Sequence, residues 1–266
     1  MNDIIAILNF FKKVLKYLIK ILKKLWYQIL IIICGKKHLI KYHDSTLKTL
    51  IYDSYKPNFY EDWIFHDDNW NHVINRWENR RLLANGLKLS MIDNYQPITH
   101  EIVFENSGII KFSGITKTSD EWLYIYLDSS KYSFKNFCWI MTICKENEFR
   151  EFQFGFRYKD FYNRYRYRFE NNKIYFDIVK NGKFYNDINS VPFKMTIGKN
   201  YKLNITAVEN HFACYIDDKL MLYDIDFKNH FSAGSAAIIL WEDNGTNPLR
   251  GSVGPLKIYD FDKNEY

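Results

Sequence analysis

Proline and glycine are scarce. Five Pro and eleven Gly in 266 residues exclude a collagen-like repeat or a Pro/Gly-rich linker protein. Cysteine is scarcer still. Four, at positions 34, 138, 144 and 214, do not make a disulfide scaffold. No CxxC pair, HExxH motif, EF-hand loop, Gly-rich phosphate loop or GxSxG elbow occurs, so the chemistries those motifs carry have no local signature here. Long apolar runs are missing as well. The stretch from Leu25 to Gly35 is the longest uncharged run of the N-terminal segment. It falls far short of the roughly 20 residues that span a bilayer.

Aromatic residues are plentiful. They make up 18% of the chain within a hydrophobic fraction of 47%, which favours strands and an aromatic-rich core. The length suits one large all-β domain with an appendage.

The charge is unevenly placed. Residues 1–41 hold nine Lys and one acid, Asp3, for a net +8, so the rest of the +6 chain carries −2. The basicity is therefore a local property of the N-terminus, and it gives no nucleic-acid footprint to the main domain. Residues 4–33 contain neither Pro nor Gly. At about 100° per residue, Lys12, Lys13, Lys16, Lys20, Lys23 and Lys24 fall within an arc of about 120°. Ile7, Phe11, Leu15, Leu18, Leu22, Leu25, Trp26 and Ile29 occupy the opposite side. This pattern predicts a long basic amphipathic helix lying in a membrane interface. Lys12, Lys16, Lys20 and Lys23 would face anionic headgroups, and Phe11, Leu15, Leu22 and Trp26 would enter the apolar layer. Packing of that face on the chain itself or on a partner helix is the competing reading. A cleavable signal peptide is disfavoured, because no small-residue cleavage site follows the apolar run. Peripheral membrane association, with the cytoplasmic face favoured, is the expected localisation.

Residues 36–49 read as a connector, with room for a short helix near 44–50. Beyond Trp70 the chain reads as short strands separated by explicit turns. The turns are Asn85-Gly86, Asn171-Asn172, Asn181-Gly182, Glu209-Asn210 and Asp217-Asp218. Asn-Gly in "DIVKNGKFY" is a hairpin signal, since both residues accept positive φ. "NFCWIMTIC" is apolar on both faces, as the central strand of a two-sheet sandwich should be. Cys138 and Cys144 lie six apart on that strand, too far apart to bond to each other, so free buried thiols are expected.

Four stretches carry a resemblance. "GKNYKLNITAVENHFACYIDDKLMLYDID" is a hairpin ending in an Asp-rich turn. "HFSAGSAAIILWED" and a last strand "GPLKIYDF" follow it, and "DDNWNHVINRWENRRLLANGLKLSM" opens the domain. This order resembles the concanavalin A-like lectin/glucanase superfamily, including laminin-G-like modules, over roughly residues 50–262. Asp217-Asp218-Lys219 stands where Asp-Gly-Lys is common in that pattern. The resemblance implies an antiparallel jelly-roll β-sandwich, assigned to 50–266, which follows the membrane-surface helix that the lysine arc places within 1–35. It implies lectin, hydrolase or adhesion functions without choosing among them. Calcium sites occur in the superfamily, but no ligands can be assigned here, and no cofactor is expected. The E-x-D-x-x-E strand of the family's glucanases has no counterpart, so no catalytic residue is assigned.

One constellation stands out, "EFQFGFRYKDFYNRYRYRFE". Phe152, Phe154, Phe156 and Tyr158 alternate with polar residues, as do Tyr165, Tyr167 and Phe169 with Arg164, Arg166 and Arg168. Unpaired Arg cannot face a core, so the aromatic side is inward. Simple alternation then sets Phe156 against Tyr167 and Arg157 against Arg166. Like charges placed so repel, and a carboxylate such as Glu170, water or an anionic ligand would offset that. A solvated outer face is the plain alternative. The expected ligand residues are Arg157, Arg166 and Arg168, with Trp241, Asp243 and Asn244 as a loop rim. The expected partner is a glycan, acidic ones included. A divergent glycoside hydrolase or polysaccharide lyase, and a protein-interaction module at a membrane, remain the alternatives.

Overall fold

The structure is a computed structural model. It describes residues 49–56, 59–67, 79–83, 86–92, 99–115, 121–242 and 249–261, together with Lys12, Val14, Leu15, Leu18 and Leu22. Two units separate at Asp44/Ser45. In the first, the five described residues are helical and exposed. The rest of the helix expected over 4–33, with Phe11, Lys16, Lys20, Lys23 and Trp26, lies outside the described residues. Among the described residues no helix is long and apolar enough to cross a membrane.

The second unit is an all-β sandwich of two antiparallel sheets. The larger sheet contains β1 (Thr49–Asp53), β3 (Asn79–Leu83), β4 (Gly86–Ile92), β5 (Thr99–Glu105), β6 (Ile110–Ile115) and β8 (Phe137–Lys145). It is completed by β13 (Asn200–Val208), β14 (His211–Ile216), β15 (Lys219–Ile225) and β17 (Leu249–Asp260). Its order is β15-β14-β13-β8-β17-β6-β5-β4-β3, with β1 paired to β17. The smaller sheet contains β2 (Trp63–Asp67), β7 (Glu121–Leu127), β9 (Glu151–Asp160), β10 (Asn163–Glu170), β11 (Lys173–Lys180), β12 (Lys183–Pro192) and β16 (Ser235–Glu242). Its order is β12-β11-β10-β9-β16-β7-β2.

The turns follow the sequence. Asn171 and Asn172 (φ 50° and 58°) join β10 to β11, and Asn181 and Gly182 (φ 50° and 73°) join β11 to β12. Asp217 and Asp218 (φ 49° and 62°) join β14 to β15, so two Asp side chains adopt the conformation that Asp-Gly would supply. β8 lies between β13 and β17 in the middle of its sheet, as its two-sided apolar character requires.

Sequence reading and structure part at the start of the domain. Thr49 and Leu50 belong to a strand and not to a short helix. β1 pairs with the C-terminal half of β17, burying Tyr52 while Leu50 stays exposed. That pairing partner lies some 200 residues along the chain, and no local propensity reveals it.

The core is aromatic. Phe152, Phe154, Phe156, Tyr165, Tyr167, Phe169 and Phe176 line the inner face of the smaller sheet. They meet Phe137, Trp139, Met141, Ile143 and Phe212 of the larger one. Trp139 and Phe154 meet edge to face at 6.1 Å between centroids, and Phe156 and Phe212 at 5.4 Å. Buried tyrosine hydroxyls find partners. Tyr165 donates to Asp226 Oδ2 at 2.6 Å, and Tyr52 accepts from Trp63 Nε1 at 2.9 Å. Cys138, Cys144 and Cys214 are buried free thiols, and Cys34 lies outside the described residues.

Candidate functional site: a groove on the outer face of the smaller sheet

Strand alternation sends Glu151, Gln153 and Gly155 of β9 and Arg164, Arg166, Arg168 and Glu170 of β10 outward. The register differs from simple alternation. Phe156 pairs with Tyr165, Tyr167 with Phe154, and Arg166 with Gly155. Arg157 does not oppose Arg166. It occupies a bulge at positive φ (43°), where Tyr158 pairs with Ser235 and Phe156 with Ala236. The bulge turns its side chain away from the outer face. Its guanidinium lies 5.2 Å from the Phe212 ring and donates to Lys135 O (2.8 Å) and Phe231 O (2.9 Å). Gly234 fits against this bulge because a Cβ there would stand 2.4 Å from the Arg157 carbonyl carbon.

A second bulge builds the site. Phe176 pairs with Asn189 and Ile178 with Tyr185, so Asn186, Asp187 and Ile188 together stand opposite Asp177. Asp187 takes positive φ (56°), and its N–H donates to Asp177 Oδ1 at 2.7 Å. Asn186 and Asp187 thereby both reach the arginines of β10. Arg166 donates to Asp177 Oδ2 (3.0 Å), Gln153 Oε1 (2.8 Å) and Asn186 Oδ1 (3.0 Å). Arg168 donates to Asp177 Oδ2 (2.8 Å), Asp187 Oδ1 (2.9 Å), Glu151 Oε1 (3.5 Å) and Glu170. Arg150 donates from Nε to Glu170 Oε1 at 2.9 Å and lays its guanidinium 4.4 Å from the Trp241 ring. Tyr175 lies 4.4 Å from the Arg168 guanidinium, and Phe184 lies 5.4 Å from that of Arg166.

These side chains enclose an open groove of about 330 Å³. It is lined by Arg150, Glu151, Arg166, Arg168, Glu170, Phe184, Asn186, Asp187 and Trp241. That volume lies within the range of small-ligand sites, about 300–1,000 Å³. The floor is almost dry: Asp177 and Gln153 are fully buried, and Arg166 is 2% exposed. The electrostatics follow. Burial pulls the Arg166 guanidinium below its ordinary value, against Asp177 and Glu151. Burial also opposes the charge of Arg168, but Asp177, Glu151 and Asp187 outweigh it and hold that group above its ordinary value. Burial lifts the Glu151 carboxyl, against the charges of Arg166 and Arg168.

Three of the residues expected at the site, Arg166, Arg168 and Trp241, therefore line one groove. Arg157 is not among its lining residues. Trp241 belongs to strand β16 and not to a loop, and Asp243 and Asn244 lie outside the described residues. Sequence reasoning missed Arg150, Glu151, Phe184, Asn186 and Asp187. Glu151 opens β9 and Arg150 immediately precedes it, and a hydrophobic/polar count along β12 shows no alternation that would reveal its bulge. Among the described residues no cluster of three or more His, Cys, Asp or Glu side chains is arranged to hold a metal ion.

Fold and groove together define a two-sheet antiparallel sandwich with a ligand-sized depression on one outer face. No family model matches the chain, and no curated protein matches it. Among solved structures it is similar to a Bacillus subtilis protein of unknown function with a galectin-like fold. The identity is 6%, the match covers 80% of this chain and 96% of that one, and the TM-score is 0.52. Weaker likenesses are to the carbohydrate-binding module CBM66 from Bacillus subtilis (20% identity, 56% and 83% coverage, TM-score 0.43) and to the Emp46p carbohydrate recognition domain in its metal-free form (11%, 79% and 95%, 0.46). At 6% identity the first of these likenesses is one of fold alone.

Proposed function

We propose that this protein binds a glycan in the outer-face groove of the smaller sheet, and that its basic N-terminal segment brings it to an anionic membrane surface. The observation that carries the glycan reading is the groove. It is ligand-sized, its floor is a rigid lattice of arginines and carboxylates, and aromatic side chains, Trp241 and Phe184, stand in its lining. Rings pack against the CH faces of sugars, and fixed polar atoms meet hydroxyls in set directions. A sandwich of galectin-like fold is in keeping with that use. The membrane reading rests on the one-sided lysine arc of residues 4–33. The test is glycan-array binding of the full chain beside Phe184→Ala and Trp241→Ala, with circular dichroism to verify folding. Binding by the parent chain that both variants lose supports the groove as the site. A chain that binds no glycan, or variants that bind as the parent does, overturns the reading.

A further inference from the structure

The arginines of the groove look at first like an anion trap, and their bonding says otherwise. Arg166 and Arg168 spend the Nε and both terminal nitrogens of each guanidinium on partners inside the chain: Asp177, Gln153 and Asn186 for one, Asp177, Glu151, Glu170 and Asp187 for the other. At these two residues an incoming carboxylate or sulfate meets no open fork of the kind that bidentate anion recognition needs. The local charge points the same way. Arg150, Arg166 and Arg168 face Glu151, Glu170, Asp177 and Asp187, three positive charges against four negative. The most accessible member of this set is acidic: the Asp187 side chain is 59% exposed, against 39% for Arg150, whose Nε is engaged by Glu170 and whose guanidinium lies on Trp241, and 3% and 6% for Arg166 and Arg168. Phe184, 40% exposed, supplies an apolar surface beside it.

We infer that the groove selects uncharged, hydroxyl-rich glycans and rejects their sulfated or uronic-acid counterparts. This deepens the glycan-binding reading above and rests on it. Sugar hydroxyls donate to the outward carboxylate of Asp187, and a sugar CH face lies on Phe184. The buried arginines hold the acceptors in place and do not themselves take the ligand. A negative substituent would meet Asp187 and Glu170 at close range in a partly dried site, where repulsion is poorly screened.

The test uses the full chain on an array of neutral glycans printed beside matched anionic forms, including dextran with dextran sulfate and cellulose oligomers with their C6-oxidised β-1,4-glucuronate counterparts. The expected result is binding to neutral members, with anionic partners at least about tenfold weaker, as loss of a charge-assisted hydrogen bond implies. Asp187→Asn keeps an acceptor for Arg168 and tolerates positive φ. It should narrow the gap, chiefly through a gain for anionic glycans. Equal or tighter binding of anionic forms by the parent chain overturns this inference while leaving the groove a glycan site. Binding to no glycan overturns the glycan reading and this inference together. An Asp187→Asn variant that folds and leaves the neutral-to-anionic ratio unchanged also overturns the inference.

Discussion

The Tyr167 hydroxyl donates to Asp224 Oδ2 across 3.2 Å in the interior of the sandwich, behind the strand that carries Arg166 and Arg168 on its other face. Asn189 Nδ2 donates to Asp224 Oδ1 at 2.9 Å. Asp224 is fully buried, and burial raises its carboxyl to about 7, with Asn189 and Tyr167 opposing and the charge of Asp177 assisting. The raised value sets the sign of a pH effect. Between the ordinary carboxylate value of 3.8 and about 7 the folded chain holds a proton here that the unfolded chain has released. The Asp224 contribution therefore favours folding most at low pH and declines as pH rises through that window. Asp226 shifts the other way: its hydrogen bonds from His230 and Tyr165 outweigh burial. The isolating measurement is thus a difference. Urea melts of the parent chain and Asp224→Asn from pH 4 to 8 should show the parent losing stability relative to the variant as pH rises. A pH-independent difference would refute this assignment.

Asp177 makes a second prediction. One buried carboxylate accepts from Nε of both Arg166 and Arg168 and from the Asp187 N–H. Asp177→Ala leaves two buried guanidiniums without their shared partner. Breaking a buried pair from one side costs about 3–5 kcal/mol. Equilibrium unfolding should show a loss of that size, and Asp177→Asn should lose less because it retains an acceptor.

The division between what the sequence revealed and what it hid follows the range of the interactions. Asn171-Asn172, Asn181-Gly182 and Asp217-Asp218 are local, and each turn formed where its residues said. The inward aromatic face of Phe152, Phe154, Tyr165 and Tyr167 followed from alternation alone. The bulges did not. A bulge at Arg157 shifts the pairing by two residues relative to simple alternation and turns one arginine off the outer face. A bulge at Asp187 brings acceptors to the other two. Both depend on positive φ at residues that are not glycine, stabilised by contacts distant in sequence: Phe231 for Arg157, Asp177 for Asp187. Arg166 and Arg168 were therefore legible as unusual, with Glu170 among the groups that would offset their charge, and their further neutralisation by Glu151, Asp177 and Asp187 was not.

The N-terminal segment is tested with vesicles. Removing residues 1–35 should abolish co-flotation with anionic liposomes. Glu at positions 12, 16, 20 and 23 should weaken binding to anionic vesicles far more than to neutral ones, at about 1 kcal/mol per lysine near the surface. Raising the salt concentration should weaken the parent chain in the same direction. Equal flotation of the full and truncated chains would show that the lysine arc has another use.

Arg157 supplies the sharpest contrast with a reading from alternation. Its guanidinium closes two backbone carbonyls, of Lys135 and Phe231, that belong to different connections. It is fully buried and lies against the Phe212 ring, so its work is to hold one end of the sandwich together. Arg157→Ala strands those carbonyls and leaves a void beside an aromatic core, at a cost of about 1–3 kcal/mol for the unsatisfied groups alone. Arg157→Lys should recover little, since an ammonium cannot span two acceptors that the planar fork reaches at once. Melting temperature should fall in both variants, while glycan affinity measured below the transition stays at the parent value. Phe184→Ala should behave in the reverse way, keeping its stability and losing ligand. If Arg157→Ala instead lost affinity with its melting temperature intact, Arg157 would belong to the ligand site and the groove's boundary would have to be redrawn to include the β9 bulge.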